Sequence, residues 1–320
     1  MAEPVSVTLI GCGTWGRNLL RVLTSEPAAE VASVIDSDPR ALQVARSLAP
    51  RARLEGSVTA LRTAPTRAVL IATPGPLHAT HALIAIECGA HVFVEKPLAT
   101  AVADAARVAD AAATRGVLGM VGHVLRYHPA VQSMIELVRS GALGRPLHMV
   151  SKRCSVAGSR DVDGSVLWSL APHDLSVLLA IDSSPIRRLR AEGRRNGTTA
   201  TLELETALGL RANLLVSRAG DRKVRRIEIQ CERGRVEFDD TAACDKLSVQ
   251  RDDDRVVRHP SLESAEPLRE EVRAFLRAVR DCTPPPTGLS EGLAVVTLLA
   301  QAGAVIESSL SSPPPVFAER

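Results

Sequence analysis

The stretch Val5-Ser6-Val7-Thr8-Leu9-Ile10-Gly11-Cys12-Gly13-Thr14-Trp15-Gly16 decides the fold. Val5, Val7, Leu9 and Ile10 form a short β-branched apolar run of the kind that is buried in a parallel sheet. The glycines follow at once. From Thr14 the apolar residues Trp15, Leu19, Leu20, Val22 and Leu23 recur at three- and four-residue spacings, the period of a helix. In a strand–turn–helix of this kind Gly11 permits the tight turn, Gly13 lets backbone approach a pyrophosphate, and Gly16 lets the helix pack close on the strand. The helix N-terminus then receives the phosphate charge.

A lone G-x-G-x-x-G says little, but this one is followed by its second half. Val31 to Ile35 reads as another apolar strand, and Asp36 closes it twenty residues after Gly16. A carboxylate there accepts hydrogen bonds from a ribose diol and repels a 2′-phosphate, which favours NAD. Arg40 lies close enough in sequence that NADP is not excluded. Alternation continues with a strand at 68–72, a helix at 77–88, a strand at 92–94, an alanine-rich helix at 99–115 and a strand at 117–121. The sum is an α/β, doubly wound parallel sheet over residues 1–122. Ligands in such sheets bind beyond the carboxyl ends of the strands. Asp36, Thr73-Pro74, Glu95-Lys96-Pro97 and Gly122-His123 all fall at such ends.

These residues resemble the glucose-fructose oxidoreductase, inositol dehydrogenase and rhizopine-catabolism group, Gfo/Idh/MocA, whose first domain is a Rossmann domain. The resemblance rests on Gly11 to Gly16, Ala72-Thr73-Pro74 with His78, Glu95-Lys96-Pro97, Val121-Gly122-His123-Val124-Leu125-Arg126-Tyr127-His128-Pro129 and Leu170-Ala171-Pro172-His173-Asp174. It implies hydride transfer between nicotinamide C4 and a secondary alcohol or ketone of a sugar, aminosugar, nucleotide sugar or cyclitol. Such chemistry needs a carbon held against the nicotinamide, a base for the hydroxyl proton and a positive group for the developing alkoxide. By resemblance Lys96 is that positive donor and His173 the acid/base. Lys96 is one of four lysines in a chain whose other cations are arginines, and a compact ammonium with a movable pKa suits the task where guanidinium does not. The same resemblance carries Gly11, Gly13, Thr14, Trp15, Gly16, Asp36, Thr73, Pro74, His78, Glu95, Lys96 and Pro97 to the cofactor, and His123, Arg126, Tyr127, Ser169 and Asp174 to the substrate.

One position departs from the family. Its dehydrogenases usually carry an Asp four residues before the catalytic His, and here that residue is Ser169. A hydroxyl does not raise a histidine's basicity as a carboxylate does. Three readings follow: Asp174, Asp161 or Asp163 compensates; the enzyme works mainly as a reductase; or redox chemistry is lost and the chain is a cofactor-binding sugar sensor or regulator of the same fold.

Residues 123–320 read as an α+β domain for substrate binding and oligomerisation. Period-two runs at 147–152, 186–192, 198–204, 209–217, 225–231 and 233–238 predict an open, largely antiparallel sheet of about six strands. Glu232-Arg233-Gly234-Arg235 is a hairpin signal. Helices are expected at 168–179, 266–280 and 289–306, the last packing back toward the first domain, and 308–320 reads as a loose tail. The resemblance implies a homodimer or homotetramer built through this sheet.

Composition sets limits. The 320 residues carry a formal net charge of +3, and no basic stripe is interleaved with aromatics, which excludes a nucleic-acid binder. The basic clusters at 187–195 and 218–226 read as solvated strand ends, with contact to a diphosphate as the sharper alternative. Six scattered cysteines without a C-x-x-C pair fit free thiols and no metal site. The first strand begins at once, leaving no room for a signal peptide, and Leu293 to Ile306 falls short of a membrane span. The expected setting is cytoplasmic.

Overall fold

β1 (Val5–Ile10) is buried at every residue but Ser6, because it lies in the middle of a sheet covered on both faces. It pairs in parallel with β2 (Ala29–Ile35) on one side and with β4 (Ala68–Ile71) on the other. β3 (Arg53–Glu55) extends the sheet beyond β2, while β5 (His91–Glu95) and β6 (Gly119–Gly122) extend it beyond β4, giving the order β3-β2-β1-β4-β5-β6. The strand order reverses between β1 and β4, and that switch point is where a doubly wound sheet opens its ligand crevice. α1 (Thr14–Thr24), α3 (His78–Glu87) and α4 (Val102–Arg115) supply the crossovers. α2 (Pro39–Leu48) and β3 are additions to the sequence reading. Asp38 caps α2, its Oδ1 accepting from the Arg40 amide at 2.9 Å, and Pro39 opens it.

The computed structural model describes residues 3–158, 165–254, 256–262 and 264–311. Two compact units divide the chain, Met1–Pro129 with Ser264–Thr297, and Ala130–Glu263 with Leu298–Arg320. The expected division is at residue 122; the first unit runs to Pro129, and Ser264–Thr297, which includes the start of the last helix expected to pack back toward the first domain, belongs to it as well. The reason is α7 (Pro267–Asp281), whose Leu268, Val272, Phe275 and Val279 share one face and enter the core formed by β1 and α1. Phe275 meets Phe93 of β5 edge to face, ring centroids 5.7 Å apart. Arg273 pairs with Glu26 at 2.8 Å, and Arg21 pairs with Glu266.

α8 (Leu289–Ser311) begins in the first unit, where Leu289 lies against Gly119 and Gly292 against Val121 and Leu98. It is 23 residues long, and an 18-residue window within it has a mean hydropathy of 1.7, long and apolar enough to cross a membrane, which corrects the shorter span read from the sequence. The pattern runs on past Ile306 because Glu307 is the sole charge that follows Glu291 within the helix. Core helices of folded proteins pass the same test, and Val295, Val296, Leu299 and Ala302 are fully buried here.

In the second unit α5 (Pro129–Arg139) leads into a seven-stranded sheet. Its strands are β7 (Pro146–Val156), β8 (Ile186–Gly193), β9 (Thr199–Thr206), β10 (Arg211–Gly220), β11 (Val224–Cys231), β12 (Gly234–Asp239) and β13 (Leu247–Arg251), in the order β13-β12-β11-β7-β10-β9-β8. All neighbours are antiparallel except β7 and β10, so the sheet is mixed, with one strand more than expected. Its two faces follow the period-two rule. Leu202, Leu204, Ala212, Leu214, Val216, Ile227 and Ile229 are buried, and α6 (Val166–Ile181) packs on this side. The other face alternates charge: Arg188 stands opposite Glu205 and Arg190 opposite Glu203. Two arginines of the basic cluster 187–195 thus stand opposite acids of the neighbouring strand.

One charge pair lies inside this unit. Arg153 of β7 clamps Asp174 of α6 with Nε to Oδ2 at 2.9 Å and Nη2 to Oδ1 at 2.7 Å, and the Asp174 side chain is fully buried. Breaking such a pair strands a charge. Arg153→Met lowers the unfolding free energy by about 3–5 kcal/mol in urea denaturation, and adding Asp174→Leu restores most of it.

Candidate active site

The glycine turn holds itself closed. Gly11 has φ +89°, and a Cβ there would meet the Ala72 carbonyl and the Thr73 amide at 2.8 Å. A Cβ on Gly16 would stand 2.0 Å from the Gly11 carbonyl oxygen. Gly13, by contrast, faces open space, with nothing within 4 Å of an added Cβ. It caps α1 without a side-chain hydrogen bond, so the first amides of the helix are free of protein caps and suit an anion. Asp36 is tied to this turn: its Oδ2 accepts from the Cys12 amide at 2.7 Å and its Oδ1 from the Asp38 amide at 2.8 Å. Both oxygens keep a further lone pair for a diol. Thr14 and Trp15 are exposed at the helix start, and Arg40 is exposed on α2. These residues fit a dinucleotide: a cradle a Cβ would fill, an uncapped helix start and a fixed carboxylate.

The strand ends beside the cradle are strapped together by His78. Its Nδ1 lies 2.7 Å from the Pro97 carbonyl and its Nε2 2.7 Å from the Thr73 carbonyl. The doubly protonated ring donates to both carbonyls and the neutral ring to one. The ring's pKa is lowered, first by burial and also by the nearby Lys96 charge, against the upward pull of the two carbonyls. Thr73 Oγ1 lies 3.1 Å from His81 Nδ1, and Pro74 is exposed. Glu95 ends β5 buried; its carboxylate accepts from the Trp15 indole and, at 3.3 Å, from the Lys96 amide. Lys96 is half-buried, and the peptide that joins it to Pro97 is cis.

Beyond β6 lie three of the residues expected at the substrate. His123 is 1% exposed, its pKa pushed down to about 3, first by burial and then by the charges of Arg126 and Lys96. Tyr127 is core: its hydroxyl hydrogen-bonds Thr287 Oγ1 at 2.9 Å, and burial raises its pKa. Arg126 donates to both oxygens of Glu291 at 2.8 and 3.0 Å. Tyr127 and Arg126 are thus committed to partners distant in sequence within their own unit, whereas neither ring nitrogen of the buried His123 has a hydrogen-bond partner among the described residues.

In the second unit α6 starts at Ser165, whose Oγ accepts from the Leu167 amide at 3.2 Å, and contains Pro172. His173 is half-buried on this helix, and its carbonyl accepts from Ser176 Oγ at 3.0 Å. Ser169, one turn earlier, accepts from Arg218 Nη2 at 2.7 Å. A cation therefore occupies the neighbourhood in which family dehydrogenases hold a carboxylate. Asp174, also expected at the substrate, is the buried partner of Arg153 and is not available to one. Asp161 and Asp163 lie outside the described residues.

Sequence reading missed Glu271. It belongs to the apolar face of α7, three residues after Leu268 and four before Phe275, and is fully buried with no hydrogen-bond partner for either carboxyl oxygen among the described residues. A charge at that phase of the stripe was the available signal. Burial and the charge of Glu95 hold its pKa well above the carboxylate range.

Residues 5–123 match the model of the GFO/IDH/MocA oxidoreductase family with its NAD-binding Rossmann fold, and residues 131–237 match the GFO/IDH/MocA C-terminal domain. Inositol 2-dehydrogenase 3 of Saccharopolyspora erythraea is 41% identical over 157 residues, which cover 48% of this chain and 46% of that protein. UDP-N-acetylglucosamine 3-dehydrogenase of Acidithiobacillus ferrooxidans is 31% identical over 69% of each chain. A solved structure of that enzyme superposes with a TM-score of 0.87 over 97% of this chain and 100% of its own, at 26% identity.

Asp36 carries the prediction of this site. Asp36→Ala weakens NADH about ten- to a hundredfold, the cost of losing hydrogen bonds to a charged acceptor, and weakens NADPH less. Titration of nucleotide fluorescence with each cofactor reads the ratio.

Proposed function

The chain belongs to the Gfo/Idh/MocA family, and we propose that it is an NAD-dependent oxidoreductase acting on a secondary alcohol or ketone of a cyclitol, sugar or nucleotide sugar. The observation that carries this reading is the joint presence of the glycine cradle, the tied Asp36 and the strapped Glu95-Lys96-Pro97 turn at neighbouring strand ends. Substrate class is supported by the inositol and UDP-N-acetylglucosamine dehydrogenases among its relatives. The acids Asp36 and Asp38 favour NAD over a 2′-phosphorylated cofactor.

NAD, when bound, supplies the hydride acceptor. Lys96 hydrogen-bonds the substrate oxygen and steadies the negative charge that grows there. His173 takes the hydroxyl proton in oxidation and returns it in reduction. Ser169, whose hydroxyl accepts from Arg218, stands where the resemblance implies a carboxylate, and this departure supports a reading in which the enzyme works mainly as a reductase. The free thiols of all six cysteines support a reducing, cytoplasmic setting. The charged outer face of the second unit's sheet is the surface through which we expect copies of the chain to pair.

Ser169 also supports a second reading, a cofactor-binding sugar sensor that no longer turns over. One experiment separates the two. Purified protein is mixed with NADH or NAD and a panel of cyclitols, aminosugars, nucleotide sugars and their keto forms, and the reduced nicotinamide is followed by absorbance. Turnover with one of them, lowered about 10²–10⁴-fold by Lys96→Ala and by His173→Ala, is the expected result. Nucleotide binding without turnover in either direction favours the sensor.

A further inference from the structure

Trp15 belongs to two places at once. Its backbone stands in the first turn of α1, among the amides that Gly13 leaves without a side-chain cap, and its indole N–H donates to Oε1 of Glu95 at the end of β5. Eighty residues separate donor from acceptor. In the sheet β4 runs between β1 and β5, so the side chain spans the carboxyl end of β4 to reach its acceptor. Neighbouring strands lie about 4.8 Å apart, which leaves a gap of about 10 Å that an indole and a glutamate close from opposite sides.

The ring does not need this acceptor for its own sake. Trp15 is 40% exposed, and water would satisfy its N–H. Glu95 is the residue that needs the bond, because its carboxyl is buried and a buried carboxylate is costly without donors. Oε1 takes the Trp15 indole, and Oε2 takes the Lys96 amide at 3.3 Å. Gly122 of β6 closes the side of Oε2, since an added Cβ there would lie 3.0 Å from it. The carboxylate is therefore held in one orientation, with the Lys96 amide bonded to it. The Pro97 carbonyl is fixed in turn by His78 at 2.7 Å. Lys96 thus sits between two anchored backbone groups, and the indole links the first of them to the glycine turn.

We propose that Trp15 is a positioning residue for Lys96, which through Glu95 ties the strand end bearing the ammonium to the turn that takes the cofactor phosphates. This rests on the reading of Lys96 given above and deepens it. An anion on the first amides of α1, that of Trp15 among them, restrains the residue whose side chain orders the Lys96 turn. A filled cradle and a placed Lys96 then favour one another.

Lysine reactivity tests this without turnover. Lys96 is one of four lysines, and Lys152, Lys223 and Lys246 all belong to the second unit. Nucleotide-free protein is methylated under limiting formaldehyde and cyanoborohydride, and the rate at each lysine is read by peptide mass spectrometry. Trp15→Phe keeps a ring and removes the donor; a several-fold faster reaction at Lys96, with unchanged rates at the other three, is expected. Glu95→Gln has one acceptor oxygen for two donors and also speeds Lys96, and adding Trp15→Phe to it changes little further, because both act on one link. Trp15→Leu, which also removes the donor, guards against a folding defect in the phenylalanine variant. In turnover, Trp15→Phe lowers kcat by about ten- to a hundredfold, while the Kd of NADH, read by nicotinamide fluorescence, changes much less. A Lys96 rate unmoved in the folded Trp15 variants, effects of Trp15→Phe and Glu95→Gln that multiply, or an unchanged kcat in an enzyme that turns over overturns the tether. The expected labelling pattern in a protein without turnover upholds the tether and counts against the dehydrogenase reading alone.

Discussion

Everything in the first unit depends on the absence of two side chains. The Gly11 carbonyl approaches α1 so closely that a Cβ on Gly16 would sit 2.0 Å from it, and Gly11 in turn lies against Ala72 and Thr73. Three segments, the ends of β1 and β4 and the start of α1, therefore meet at the point where the strand order reverses. That meeting leaves the first amides of α1 uncapped and brings the Cys12 amide to Asp36, which places the two ends of a dinucleotide site by backbone geometry alone. Further along the sheet, His78 does for the β4 and β5 ends what the glycines do for β1, joining the Thr73 and Pro97 carbonyls through one ring.

Buried charge is handled differently in the two units. The second unit clamps Asp174 with Arg153, satisfies Asp182 with the Ser184 amide and the Thr206 hydroxyl, and lines its open sheet face with arginines opposite glutamates. The first unit leaves carboxyls only partly compensated: Glu95 is shared between an indole and an amide, and Glu271 has no donor among the described residues. Uncompensated buried acids are destabilising, and the buried Glu95 beside Lys96 agrees with a chemical role for that strand end.

The cofactor half was legible because its signals are local. A strand, a glycine turn, a helix and an acid at fixed spacing are all read within forty residues, and the structure places β1, α1, β2 and Asp36 as that spacing requires. What was not legible depends on partners far along the chain. Tyr127 and His123 have the side chains of ligand contacts, but burial against Thr287 and the rest of their unit is invisible from residues 121–129. Asp174 was read as a site residue because its partner Arg153 lies on a strand whose register cannot be read from one sequence. The return of residues 264–288 to the first unit escaped for the same reason, whereas the last helix was expected to pack back toward the first domain, and its start belongs to the first unit. β3 and β13 are short, with too few apolar residues to show a period. Two local signals were missed: α2, with Ala41, Val44, Ala45 and Leu48 at helical spacing after the Asp38 cap, and Glu271, an acid in phase with Leu268, Val272 and Phe275.

The most direct measurement is a crystal structure of the protein with NADH. The geometry described here predicts the pyrophosphate on the amides that follow Gly13, the adenosine ribose on Asp36 and the nicotinamide beside Lys96. A dinucleotide bound elsewhere, or a pyrophosphate held away from the Gly11–Gly16 turn, would contradict it.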